Sequence, residues 1–198
     1  MKRALILTDG KAGHENQSKA LASYLGVDFD IREVRFKNAF CKAVSYLLDR
    51  FGVRTKRLFG KFPDLPNESY GVVIGAGSGV FYAVKVVAAQ IKSRSAVILY
   101  PRGYRLSTFD CILAPSFDRP AEARNIIPLE VNLVSNDEDS YSRAVDTFKG
   151  KYGMKSREVV AVIVGGPNKC STLDEGWMKK ELDRIFKENE FQPSCPDG

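Results

Sequence analysis

The stretch Ala4-Leu5-Ile6-Leu7-Thr8-Asp9-Gly10-Lys11-Ala12-Gly13-His14-Glu15-Asn16-Gln17 decides the fold. Its apolar opening suits a strand buried on both faces, and it runs into a turn rich in glycine and polar groups. Apolar or small residues at Ala20, Leu21, Tyr24 and Leu25 then mark one face of a helix over 15–25, and Gly26 suits its stop. Similar units follow. Apolar runs at 72–74, 96–99, 111–114 and 159–164 read as buried strands, and residues 80–91 as a helix packed against a sheet. Strand–helix alternation of this kind predicts an α/β fold, Rossmann-like, with helices flanking a mostly parallel sheet.

The polar segment 136–156, with a helix expected over 141–152, separates a first domain, 1–156, from the start of a second, 157–198. That second part reads as one strand, a Gly-Gly-Pro turn and a helix over 173–189.

Composition sets the outer limits. The 198 residues are 44% hydrophobic and 27% charged, which excludes disordered and fibrous classes. Cys41, Cys111, Cys170 and Cys195 form no CxxC pair and there is one histidine, so free thiols in a reducing compartment are expected and a structural zinc site is not. Met1-Lys2-Arg3 leads straight into a short strand, with no signal-peptide core. The longest uncharged run, 69–84, holds four glycines and falls short of the ~20 apolar residues of a membrane span. A cytoplasmic protein is expected, peripheral at the membrane at most.

The net charge of +6 is local. Residues 32–61 carry nine basic side chains (Arg32, Arg35, Lys37, Lys42, Arg50, Arg54, Lys56, Arg57 and Lys61) against Glu33 and Asp49, a net of +7. Phe36, Phe40, Val44, Leu47, Leu48 and Phe51 recur among them at helical spacing. Such a block is either a helix whose apolar side faces the core and whose basic side is solvated, or a surface for an anionic membrane or a lipid-linked acceptor. No reader motif accompanies it, and nucleic acid is not expected.

Ligands of open α/β sheets bind beyond the carboxyl ends of strands. Four sets of loop residues stand at such places. In the first, Asp9, Gly10, Lys11, Gly13, His14, Asn16 and Gln17 combine close backbone approach, a positive charge and the sole histidine, a residue type suited to general base catalysis; the alternative is a turn that only caps the helix. Gly75, Gly77 and Ser78 belong to a second glycine loop. It lacks the GxGxxG spacing, and no acid occurs between Glu68 and Asp110, which argues against NAD; a ligand loop and a tight turn remain equal readings. Arg102, Asp118 and Arg119 follow two further strands, where the arginines could hold a phosphate or carboxylate or pair with a nearby acid. Gly165, Gly166 and Asn168 form a fourth loop with N–H groups suited to a diphosphate.

In this order, TDGKAGHENQSKALA, VIGAGSG, YPR, PSFDRP and VAVIVGGPN resemble the mitochondrial-fission Elm-type family over nearly the whole chain. The resemblance implies a GT-B-like glycosyltransferase that moves a sugar from a nucleotide sugar, independently of metal and with no other cofactor. His14, or Asp9, would be the base; Asp9, Lys11, Gly13, His14, Asn16 and Gln17 would border the inter-domain cleft; Gly165 and Gly166 would open the second domain. Family members are expected to be longer, continuing into a Ser-Arg-Arg-Thr-type segment. A truncated second domain, partial activity and self-association through an unpaired strand edge are therefore expected. A docking module without catalysis is the alternative.

Overall fold

The computed structural model describes residues 3–64, 69–134, 138–152, 162, 172 and 174–188. The chain divides into two units, 1–136 and 137–198. The expected boundary at 156, the strand over 159–164 apart from Val162, and the Gly165-Gly166-Asn168 loop fall outside the described residues.

The first unit is built on β1 (Arg3–Thr8), β2 (Phe29–Glu33), β5 (Tyr70–Ala76), β6 (Arg94–Ile98), β7 (Cys111–Pro115) and β8 (Ile126–Leu129), all parallel, in the order β2-β1-β5-β6-β7-β8. Alternation within β1 explains the layers. Leu5 and Leu7 join the core beneath α3 (Phe81–Gln90), while Ala4 and Ile6 join the one beneath α1 (Ala12–Tyr24). With both faces covered, central strands read as continuous apolar runs. Edge strands do not: β2 is Phe-Asp-Ile-Arg-Glu and β8 contains Pro128, sequences tolerated where one side of the ladder is open. Leu99, expected in the third strand, instead leaves β6 with a φ of +75°.

The basic block is an excursion between β2 and β5. It contains a two-stranded antiparallel ribbon, β3 (Arg35–Phe36) with β4 (Phe59–Lys61), and the helix α2 (Ala39–Arg50). Phe36 therefore lies on a strand, stacked on Phe59 at 4.5 Å, rather than on the expected helix. Leu48 and Tyr46 pack against the core, but the fully buried residues of α2 are Ser45 and Asp49. Phe40, Leu47 and Phe51 face solvent, with 75, 57 and 72% of their surface exposed. Of the two readings of the block, the one that turns its apolar side to the core fails at these three positions.

Lys85 on α3 explains the exposure of these three side chains. Its ammonium, 1% exposed, donates to Asp49 Oδ1 and Oδ2 at 2.8 Å and to the Arg105 carbonyl at 2.9 Å, and it stands 4.1 Å from the centre of the Phe109 ring. Burial pushes its pKa from 10.5 down to about 8, against the pull of Asp49. The unfolded chain therefore holds an extra proton above pH 8, and unfolding free energy gains from Lys85 as pH rises towards 10.5. Tyr82 and Tyr104, both raised above 10.0 by burial, act in the opposite sense at the alkaline end. We expect wild type to gain up to about 3 kcal/mol relative to Lys85→Met between pH 8 and 10. Urea unfolding of both proteins across that range checks it, and parallel profiles would refute it.

In the second unit the described elements are two helices, α4 (Glu138–Lys151) and α5 (Glu175–Glu188).

Candidate active site

Sheet order places the site. From β1 the chain moves to β2 on one side, and β5 to β8 extend on the other, so the carboxyl ends of β1 and β5 flank a topological switch point. The loops after these two strands are the first and second glycine loops of the sequence.

After Thr8 the backbone turns at Gly10, whose φ of +83° suits glycine. Thr8 Oγ1 accepts the Gly10 N–H at 3.1 Å and Asp9 Oδ1 accepts the Lys11 N–H at 3.3 Å. This curls the Asp9 carboxylate back over the first turn of α1, where His14 Nδ1 donates to Oδ1 at 3.1 Å and approaches Oδ2 at 3.3 Å. Lys11 occupies the helix cap without a side-chain capping bond, its Nζ 3.9 Å from Asp9 Oδ2; Asp9 is bonded to the imidazole and does not serve as that cap. A carboxylate only accepts, so Nδ1 carries the proton of the neutral ring and Nε2 is left as the proton acceptor. Both side chains keep some solvent access, 14% for Asp9 and 21% for His14.

The β5 loop forms the other wall. A β-carbon on Gly77 would stand 2.3 Å from His14 Cε1, and one on Gly79 would stand 2.6 Å from Asp9 Oδ2. Gly77 also has a φ of +84°. These two glycines leave the space that the dyad fills. Gly75 serves differently: it lies within β5, where a β-carbon would meet Val84 of α3 and its cap residue Val80 at 2.8 Å.

Lys42, which the sequence showed only as part of the basic block, completes this wall by donating from Nζ to Ser78 Oγ at 2.8 Å. It sits one turn into α2, after the Asn38 cap whose Oδ1 accepts the Cys41 N–H at 2.8 Å. Asp9, Arg35, Phe36, Asn38, Lys42 and Gly79 line a cleft of about 230 Å³. That is below the ~300–1,000 Å³ of sites for whole drug-sized ligands, and it suits one sugar- or phosphate-sized group. No local pattern marked Lys42, because its partner is 36 residues away.

The remaining predicted residues spread along the same edge. Asn16 is exposed on α1, and beside it the Gln17 Oε1 is buried with no hydrogen-bond partner among the described residues. A β-carbon on Gly13 would meet nothing within 4 Å. Arg102 donates from Nη2 to the Asp118 carboxylate and carbonyl, both at 3.0 Å, which is the ion pair considered above as the alternative to ligand binding. Arg119, exposed and with a φ of +50°, makes no ion pair among the described residues. These groups follow β6 and β7, on the order of 10–14 Å along the edge from β1 at ~4.8 Å per strand.

Compared with known proteins, residues 12–192 match the profile of a family described as mitochondrial fission ELM1. No curated protein and no solved structure matches the chain.

Proposed function

The chain belongs to the mitochondrial fission ELM1 family, and from that premise we propose that it is glycosyltransferase-like. In this reading its first unit supplies the base, the acceptor subsite and the contacts to the donor's diphosphate for transfer of a sugar from a nucleotide sugar. The Asp9–His14 dyad at the switch point, walled by Gly77 and Gly79, is the observation that supports it.

An acceptor hydroxyl hydrogen-bonded to His14 Nε2 loses its proton to the imidazole as its oxygen bonds to the anomeric carbon. The bond from that carbon to the diphosphate oxygen breaks, and the electron pair leaves with the nucleoside diphosphate. Asp9 holds Nδ1–H, fixes the ring and stabilises the imidazolium that forms. Lys11, Lys42 and the first-turn N–H groups of α1 offset the growing negative charge without requiring a metal.

Calorimetric titration with uridine, guanosine, adenosine and thymidine diphosphate sugars tests the reading. One of them should bind saturably, and Lys42→Met should weaken that binding about tenfold, the effect of losing one charge-assisted contact. No heat with any of the four would overturn a donor site in this chain.

A further inference from the structure

We propose that the outward face of α2 docks the protein on an anionic lipid bilayer. Three observations carry this inference, and none depends on sugar transfer. Phe40, Leu47 and Phe51 lie at positions i, i+7 and i+11, one stripe along a helix, and each is more than half exposed. The stripe cannot turn inward, because the opposite side of α2 is held by buried polar bonds: Asp49 to Lys85, and the Ser45 hydroxyl to the Tyr104 hydroxyl at 2.8 Å. Charge borders it along the chain. Lys37 precedes the helix, Arg50 ends it, and Lys56 and Arg57 follow; all four are exposed and make no ion pair with a described residue.

An apolar ridge flanked by unpaired cations matches a surface with acyl chains beneath anionic headgroups, and a helix lying in that interface would insert only its outer side chains. A second copy of this chain fits less well, because a two-fold contact through α2 would bring the cations of one copy towards those of the other. Arg54, although in the same block, is not part of this surface; it is tied to Asp49 at 3.1 Å.

Co-sedimentation of the full chain with vesicles tests the proposal. Phosphatidylcholine vesicles containing phosphatidylserine should retain the protein, pure phosphatidylcholine vesicles should not, and salt should weaken the binding. Replacing Phe40, Leu47 and Phe51 together by Ser should abolish retention. Reversing Arg50, Lys56 and Arg57 to Glu should lower it by about fivefold or more per residue. These side chains are exposed, so the variants should melt at the wild-type temperature, which separates lost docking from lost folding. No binding to the anionic vesicles at low salt overturns the proposal, as does binding that survives the triple Ser variant. A wild-type dimer that the Ser variant turns into a monomer also overturns it and assigns the face to a second copy.

Discussion

Asp49→Ala should lower the free energy of unfolding by about 3–5 kcal/mol, the range for breaking one side of a buried ion pair. Asp49 is fully buried and has three cationic or N–H partners: Lys85 Nζ at 2.8 Å, the Arg54 guanidinium at 3.1 Å and the Arg105 backbone N–H at 2.7 Å. Without the carboxylate, Lys85 keeps the Arg105 carbonyl and two aromatic rings as neighbours. None of these carries a compensating charge. Chemical denaturation measures the loss, and a deficit below about 1 kcal/mol would mean that solvent reaches the ammonium. The double variant Asp49→Leu with Lys85→Met should recover most of the loss, since a well-packed apolar pair often replaces a buried ion pair at little cost. Amide exchange in Asp49→Ala should be fastest along α2, because the exposed stripe contributes little packing to hold the helix down.

In the proposed transfer reaction, His14→Ala should reduce kcat about 10²–10⁴-fold, the usual contribution of a general base. Gly77→Ala should have nearly the same effect while leaving the dyad's own residues in place. The added methyl would overlap the imidazole, 2.3 Å from Cε1, and the backbone there has a φ of +84°, where alanine is strained by about 1–2 kcal/mol. The ring must leave Asp9, and the proton on Nδ1 loses its acceptor. Steady-state kinetics of both variants, with thermal melts as a folding control, distinguish the outcomes. A fully active, folded Gly77→Ala protein would show that turnover does not need His14 in this position.

The central strands and both sheet-packing helices were legible because their residues are buried on one or both faces, which leaves apolar runs and periodicity in the chain itself. The edges β2 and β8 were not, since a half-open strand accepts Asp30, Arg32 or Pro128. Asp9 and His14 stood out through a glycine-rich turn directly after a strand. Their bond, five residues apart, lies almost within reach of local reasoning. Gly77 read as half of an ambiguous loop until β5 was seen beside β1, and Lys42 carried no local sign of a partner at Ser78.

The orientation of α2 is the clearest case of tertiary structure deciding. Its sequence is amphipathic, and periodicity alone leaves open whether Phe40, Leu47 and Phe51 face the core or an outer surface. The fold turns these three outward, because Lys85, buried on α3, needs a carboxylate, and Asp49 on the polar side of α2 provides it. By itself the sequence determined an α/β sheet, its glycine turns and the first helix of the site, because apolar runs, periodicity and turn residues mark these within each segment. Which loops meet at the switch point and which face of α2 meets water were decided by strand order and one buried charge pair, since partners 36 residues apart leave no periodic trace in either segment.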